Sequence, residues 1–280
     1  MSSIKDYFSL VKFAHTLFAM PFALIGFFEG VQTLDNSFPW RILFLVVLCM
    51  VFARNSAMGF NRYIDRKYDA LNPRTSNRDV PAGRVSPRAA LTSVIINCIL
   101  FCATTFFINK LTFFLSPVAL VVVLGYSYTK RFTSLAHFVL GLSLAIAPTG
   151  AYIAVTGQFD ILPVLYSIIV LLWSGGFDIL YALPDEEFDK SVKLKSIPTA
   201  IGRKRAMILS WTVHIIAAIL VVYIGFSHHL LYWIGAVVFI ILLNYQHFIV
   251  KPNDLKKLNA AFFTTTSIAS ICHAFFTILD

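Results

Sequence analysis

Charged residues are scarce in this sequence. Only 13% of its 280 residues are Asp, Glu, Lys or Arg, whereas 58% are hydrophobic, and the mean hydropathy is +0.76. Soluble domains carry about 25% charged residues on average. The composition therefore excludes an ordinary soluble domain, and we interpret the chain as an all-α polytopic membrane protein.

Cysteine and histidine motifs for zinc or redox chemistry are also lacking. The four cysteines, Cys49, Cys98, Cys102 and Cys272, include no CxxC pair, and the seven histidines include no HExxH pattern. Zinc sites and redox centres depend on such spacings. We therefore expect no zinc site and interpret the cysteines as small apolar residues within membrane spans.

Long apolar runs are abundant. Nine of them can cross a hydrocarbon core of about 30 Å as helices that rise about 1.5 Å per residue. They are continuously apolar rather than alternating, which favours helices over a β-barrel. We expect a single domain, 1–280, with spans near residues 12–32, 41–63, 89–108, 111–128, 134–156, 160–182, 206–226, 229–250 and 258–279.

Basic residues concentrate in the loops that follow even-numbered spans. With the N-terminus in the cytoplasm this distribution satisfies the positive-inside rule. The net charge of +9 is then explained by topology and the lipid bilayer, and no nucleic-acid partner is predicted. We expect an integral protein of the bacterial inner membrane whose functional site faces the cytoplasm.

Topology does not explain the acidic residues of the same loops. In FNRYIDRKYDALNPRTSNRDVPAGR, residues 60–84, the oxygen-bearing side chains Asn61, Asp65 and Asp69 are spaced by four. Each step of four rotates only about 40° around a helix, so the three share a face if the second helix continues to Asp69. This face ends on the cytoplasmic side.

A second acidic segment occurs more than a hundred residues later. In GGFDILYALPDEEFDKSVKLKSIP, Asp185 and Asp189 repeat the spacing of four, and Asp178 precedes Asp185 by seven. If both segments meet, their like charges require compensating cations. Aspartate-rich oxygen ligands favour Mg²⁺, which often shares its coordination shell with a substrate phosphate. Nearby arginines and lysines suit a diphosphate, so we predict a Mg²⁺ and diphosphate site.

A cation transporter is an alternative, because acidic residues in a helical bundle also mark ion pathways. Its sequence signature is weak here, since no inverted repeat or pair of broken helices is visible. A soluble terpenoid synthase with acidic ladders is excluded by the hydropathy.

Several motifs resemble a known family. NRYIDRKYD with NPRTSNRDVPAGRVS, and DILYALPDEEFD with LKSIP, resemble the two signature regions of the UbiA family of intramembrane aromatic prenyltransferases, and HTLFAMPFAL and GYSYTKRFT extend the resemblance over most of the chain. The resemblance implies nine helices around a central cavity and transfer of a polyprenyl group from polyprenyl diphosphate to a hydroxylated aromatic acid. We expect 4-hydroxybenzoate as the acceptor, in respiratory quinone biosynthesis, with a naphthoate of menaquinone biosynthesis as the alternative.

The resemblance also assigns residues. It implies that one Mg²⁺ is held by Asn61, Asp65 and Asp69, and the other by Asp185 and Asp189 with support from Asp178. It makes Arg131 a further catalytic residue and suggests diphosphate contacts from Arg62, Arg78, Lys130 and Lys195. Tyr126 and Tyr181 are candidates to line the cavity. Lys193 departs from the family, because relatives usually have a glycine before LxSIP, and this leaves the conformation of the loop open.

Overall fold

The computed structural model describes residues 19–35, 37–251, 254–255, 258 and 264–280. Across these residues the chain is helical, and its one extended pairing is an isolated bridge between Lys251 and Asp254. The predicted all-α fold is confirmed.

The helices within the described residues follow the apolar runs. They are α1 (Met20–Gln32), α2 (Trp40–Leu71), α3 (Pro87–Phe106), α4 (Lys110–Thr129), α5 (Ala136–Thr156), α6 (Ile161–Tyr181), α7 (Glu186–Ser191), α8 (Ile197–Ile201), α9 (Arg203–Gly225), α10 (Leu230–Ile249) and α11 (Thr266–Leu279). A short 3-10 turn, Leu183–Asp185, precedes α7.

Seven of these helices, α2 to α6, α9 and α10, are long and apolar enough to cross a membrane. They coincide with the second to eighth predicted spans, and the chain is an integral membrane protein. The first and last predicted spans, 12–32 and 258–279, extend outside the described residues. Their described parts contain α1 and α11, which have 13 and 14 residues. Nine membrane helices and a central cavity therefore stay predictions.

Side-chain caps and glycine fix several helix ends. Ser86 accepts a hydrogen bond from the Ala89 N–H at 3.1 Å and starts α3, with proline in the first turn. Asp160 accepts from the Leu162 N–H at 3.1 Å and starts α6. Gly157, with φ 71°, ends α5 in the left-handed conformation that glycine adopts without steric cost.

Helices α2, α3 and α4 pack together in one compact unit, which contains Trp40–Thr129. Polar contacts between α2 and α3 include the Asn55 amide, which donates to Asn97 Oδ1 at 3.3 Å. The 32 residues of α2 make it about 48 Å long, against a hydrocarbon thickness of about 30 Å. Its C-terminal turns therefore extend beyond the apolar zone and carry the first acidic segment.

The second compact unit comprises Leu17–Pro39 and Lys130–Asp280 and contains α1 and α5 to α11. Its longer helices contact one another in a closed sequence: α1 with α5, α5 with α6, α6 with α9, α9 with α10, α10 with α11, and α11 with α1. Trp173 of α6 is wholly buried, with its ring centroid 5.2 Å from that of Phe22 and 5.3 Å from that of Phe177. This packing fixes α6, which leads directly into the second acidic segment.

The contact between α1 and α5 gives a prediction for stability. A Cβ placed on Gly26 would lie 2.7 Å from the carbonyl carbon of Pro148 and 2.8 Å from its Cα, and these backbone atoms cannot swing away as a side chain can. We expect Gly26→Ala to lower the free energy of unfolding by about 1–3 kcal/mol, measured by thermal unfolding in detergent. Gly150→Ala is the control, since its Cβ would meet only an Ile146 side-chain atom at 3.9 Å; equal melting temperatures for the two variants would contradict the packing argument.

Candidate active site

The first acidic segment occupies one face at the end of α2. Because α2 continues to Leu71, Asn61, Asp65 and Asp69 share a face as predicted. The Asn61 amide donates to Asp65 Oδ2 at 2.8 Å. Asp69 is only 6% exposed, and its Oδ1 accepts from Arg78 Nη1 at 2.7 Å. Its other oxygen, Oδ2, is buried and has no hydrogen-bond partner among the described residues.

The loop after α2 brings Arg78 to Asp69. The Thr75 hydroxyl donates to the Asp69 carbonyl at 3.1 Å, and Asn72 Oδ1 accepts from the Arg74 N–H at 2.9 Å. These bonds turn the chain back toward the end of the helix. The cluster of basic and acidic residues in this stretch is thus an ordered loop, and Arg78 is its side chain that reaches Asp69.

Arg62 is the second basic group beside these acids. It is buried and interacts electrostatically with Asp65, Asp69 and Arg78 in the same unit, and with Tyr126 of α4. Two predicted diphosphate contacts, Arg62 and Arg78, are therefore grouped with the acids of α2.

Arg54 belongs to the same helix face, although sequence reasoning placed it in a span without a role. It precedes Asn61 by seven residues, about two helical turns, and interacts electrostatically with Tyr126. Its Nε is buried and has no hydrogen-bond partner among the described residues. A guanidinium inside an apolar helix is costly, and a lone arginine in an apolar run is the sequence signal that points to Arg54.

The second acidic segment lies in the other unit and begins in the last two turns of α6. Asp178 Oδ2 lies 2.7 Å from His137 Nδ1 of α5. Asp185 is buried in the 3-10 turn. Asp189 of α7 is 3% exposed, with Lys130 Nζ 3.7 Å from its Oδ2, and this oxygen has no hydrogen-bond partner among the described residues.

The predicted basic residues of this unit occupy different surroundings. The Lys195 N–H donates to the Lys130 carbonyl at 2.7 Å. This bond joins the KRF segment, residues 130–132, to the LKSIP segment, residues 194–198. The Lys195 ammonium is exposed and donates to the Phe132 carbonyl at 3.2 Å. Arg131 and Tyr181 are half-buried. Of the predicted contacts, Lys130 is the one whose side chain reaches an acid of this segment.

Lys193 adopts a left-handed backbone conformation. Its φ is 58°, and no other residue in the described part of the chain, apart from glycines, has a positive φ. The following Leu194 N–H donates to the Asp189 carbonyl at 2.8 Å, which closes the end of α7. The loop therefore holds a side chain in a backbone region that glycine occupies more easily.

The carboxylates of the two acidic segments suit a cation that also binds water and a phosphate group of the substrate. Within the described residues no three His, Cys, Asp or Glu side chains form a ready-made metal site. In the described ranges, Asp69 and Asp189 instead each retain a buried carboxylate oxygen without a hydrogen bond. Mg²⁺ commonly takes one or two carboxylates and fills its shell with water and substrate phosphate, so these residues fit Mg²⁺ held together with a phosphate ligand.

Comparison with known proteins identifies related sequences. The UbiA prenyltransferase family matches residues 19–268 of this chain. A 4-hydroxybenzoate octaprenyltransferase of Aliivibrio fischeri is 30% identical over 236 residues, which cover 83% of this chain and 81% of that protein. The protein of the same name from Photobacterium profundum is 30% identical over 239 residues, covering 83% and 82%.

Solved structures share the fold. The apo structure of a UbiA homologue from Aeropyrum pernix K1 is 27% identical and superimposes with a TM-score of 0.85, covering 95% of this chain and 98% of that one. A UbiA homologue from Archaeoglobus fulgidus, bound to DMAPP and Mg²⁺, is 23% identical and gives a TM-score of 0.74, covering 98% and 99%.

The electrostatics of Asp189 give a prediction for pH dependence. Burial raises the pKa of the Asp189 carboxyl, Lys130 opposes this, and Asp185 adds to it. The pKa of Asp189 is therefore higher in the folded protein than in the unfolded chain, where it is about 3.9. As the pH rises above that value, the unfolded chain loses this proton more readily than the folded protein, so the free energy of unfolding falls. We therefore expect Asp189→Asn to raise the melting temperature of the metal-free protein at neutral pH, with a difference that shrinks on acidification.

The matched control for this variant is Asp79→Asn. Asp79 is also buried, but its Oδ1 accepts from Arg84 Nε at 2.8 Å, so the loss of its charge should lower the melting temperature. A fall of the same size in both variants would show that Asp189 is satisfied in the metal-free state.

Proposed function

Because the chain belongs to the UbiA prenyltransferase family, and is therefore an enzyme that transfers prenyl groups, we propose that its donor is a polyprenyl diphosphate and its acceptor is 4-hydroxybenzoate. Two buried carboxylate oxygens, on Asp69 and Asp189, carry the donor assignment: neither has a hydrogen bond within the described part of the chain, and each acid is close to a basic side chain. Membership of this enzyme family also favours the enzyme over the alternative of a cation transporter.

The two acidic segments have separate tasks in this proposal. Asn61, Asp65 and Asp69 hold one Mg²⁺, and Asp185 and Asp189 hold a second one with support from Asp178. Arg62, Arg78, Lys130 and Lys195 bind the diphosphate oxygens, and Arg131 assists. A bound Mg²⁺ supplies Lewis-acid stabilisation of the charge that develops on the leaving diphosphate.

The basic residues of the chain provide the remaining electrostatic assistance. As the allylic C–O bond breaks, its electron pair moves to the diphosphate, and guanidinium groups already in place donate to the oxygens where the charge appears. The electron-rich ring of the acceptor then forms the C–C bond and loses a proton. Exclusion of water is essential, because water would otherwise capture the allylic cation.

The acceptor assignment rests on the names of the relatives and on Arg54. The Aliivibrio and Photobacterium proteins are 4-hydroxybenzoate octaprenyltransferases. The half-buried Arg54 guanidinium, whose buried Nε has no hydrogen-bond partner in the described ranges, suits the carboxylate of an aromatic acid. A dihydroxynaphthoate also carries a carboxylate, so it is the alternative acceptor. The reaction belongs to quinone biosynthesis, with the site on the cytoplasmic side of a bacterial inner membrane.

The first experiment measures prenyl transfer directly. Membranes that contain the expressed protein receive a labelled polyprenyl diphosphate with Mg²⁺, and 4-hydroxybenzoate or a dihydroxynaphthoate is offered separately. We expect a prenylated product with 4-hydroxybenzoate and none with EDTA in place of Mg²⁺. Product from the naphthoate alone would replace the acceptor assignment, and no product from either acceptor with folded protein would overturn the proposal.

Matched variants connect this activity to both acidic segments. Asp65→Ala and Asp185→Ala should each abolish transfer and leave membrane insertion intact, because each removes a charged group from the metal and diphosphate site. Glu187→Ala is the control, since Glu187 is an exposed acid of the same segment as Asp185. Normal turnover in either aspartate variant would count against its segment.

Arg54 gives a separate prediction about the acceptor. We expect Arg54→Leu to raise the KM for 4-hydroxybenzoate by about 30-fold or more, since loss of one partner from a buried charge pair costs about 2–5 kcal/mol. The KM for the diphosphate should change little, and the preference for 4-hydroxybenzoate over phenol should disappear. Arg41→Leu, on the exposed part of α2, is the control; a change confined to the KM for the diphosphate would instead assign Arg54 to the donor.

A further inference from the structure

His137 is a buried side chain to which the proposed reaction assigns no role. It lies in the first turn of α5 and is wholly buried. Its two ring nitrogens contact two different parts of the second acidic segment: Nδ1 lies 2.7 Å from Asp178 Oδ2, and Nε2 lies 3.3 Å from the backbone nitrogen of Ile197. His137 therefore joins the end of α6 to the start of α8.

The hydrogen-bond network determines which nitrogen of His137 carries the proton. The Ile197 N–H can only donate, so Nε2 accepts and is unprotonated. Nδ1 then carries the ring proton and donates it to the Asp178 carboxylate. The imidazole is neutral in this arrangement, because an imidazolium has no nitrogen that can accept from Ile197.

Close helix packing brings His137 to this position. A Cβ on Gly141 of α5 would lie 2.5 Å from the Leu171 carbonyl oxygen of α6, and a Cβ on Gly175 would lie 3.0 Å from the Phe138 ring. Glycine at both positions allows the backbones of α5 and α6 to approach. The approach places His137 against Asp178, one helical turn beyond Gly175.

The second contact holds the LKSIP segment. Ile197 starts α8, where the Ser196 side chain accepts from the Thr199 N–H and the Thr199 side chain accepts from the Ser196 N–H. Lys195 immediately precedes this cap and donates its N–H to Lys130. His137 Nε2 thus accepts a hydrogen bond from the buried Ile197 N–H, which lies beside Lys195, a residue proposed to bind diphosphate.

We infer that His137 is a positioning residue, which fixes the orientation of the Asp178 carboxylate through Nδ1 and the LKSIP turn through Nε2. The inference rests on the proposed function, in which Asp178 supports a Mg²⁺. A neutral donor orients one carboxylate oxygen and leaves the negative charge of Asp178 for the cation, whereas a lysine in its place would compete for that charge. Hydrogen-bond partners of metal ligands act in this way elsewhere, and their loss typically weakens metal affinity 10–100-fold.

Two amide substitutions separate the two contacts. In His137→Asn the side-chain nitrogen is bonded to Cγ, as Nδ1 is, so the bond to Asp178 is kept and the bond to Ile197 is lost. In His137→Gln the amide extends to the position of Nε2, so the oxygen can accept from Ile197 while the bond to Asp178 is lost. His137→Leu removes both bonds and reports the effect of packing alone.

The first measurement is binding of Mn²⁺ to the full chain in detergent, by equilibrium dialysis with inorganic diphosphate present. We expect the dissociation constant to rise about 10-fold or more in His137→Gln and His137→Leu, and to change less than about threefold in His137→Asn. Asp178→Asn should weaken binding, and the double variant H137Q/D178N should bind no more weakly than Asp178→Asn alone. Additive losses in the double variant, or unchanged binding in His137→Gln, would overturn the inference.

Hydrogen exchange at the Ile197 amide tests the second contact without metal. Exchange should accelerate in His137→Asn and His137→Leu and remain slow in His137→Gln, whereas equal exchange in all three would overturn this contact. The proposed function fails separately: if the wild-type chain retains no Mn²⁺ beyond that of the Asp65→Ala and Asp185→Ala variants, the metal site itself is wrong, whatever the His137 variants do.

Discussion

A carboxylate is stable within an apolar helical protein only where a hydrogen-bond donor or a cation faces it, because burial without compensation is costly. This constraint determines how each acidic segment is built. Asp69 is faced by Arg78, Asp178 by His137 and Asp189 by Lys130. On Asp69 and Asp189 one buried oxygen still lacks a hydrogen bond from any residue that the structure describes. The loop after α2 places Arg78 against Asp69, and α5 places His137 against Asp178.

The spans and the first acidic face could be predicted from the sequence because they depend on local regularities. Apolar runs specify helices wherever lipid excludes unpaired backbone groups, and a spacing of four specifies one helix face once the helix is long enough. Asn61, Asp65 and Asp69 needed only that α2 continue to Leu71. The first and last predicted spans extend outside the described residues, so they stay predictions.

Contacts between distant residues could not be read from spacing. His137 lies 41 residues from Asp178 and 60 from Ile197, and no periodic pattern links them; the link exists because Gly141 and Gly175 let α5 and α6 approach. Lys193 illustrates another limit. The sequence left the conformation of this loop open. In the structure the Leu194 N–H donates to the Asp189 carbonyl and Lys193 has φ 58°, so tertiary context outweighs the local preference of a residue other than glycine.

Asp280 in the same unit shows how a carboxylate can be fully compensated. Asp280 accepts from the N–H groups of His229 and Tyr232 at 2.7 and 3.0 Å, and its Oδ2 lies 3.3 Å from His228 Nδ1. Burial raises the pKa of Asp280, but the bonds from Tyr232 and His229 and the proximity of His228 outweigh it, so the pKa lies below its ordinary value. The pKa of Asp189 is shifted the opposite way, because burial there exceeds the effect of Lys130. Since the same fold can satisfy a carboxylate fully, the incomplete satisfaction of Asp189 is a local property of the candidate site, and a cation with its phosphate ligand is the group that would complete it.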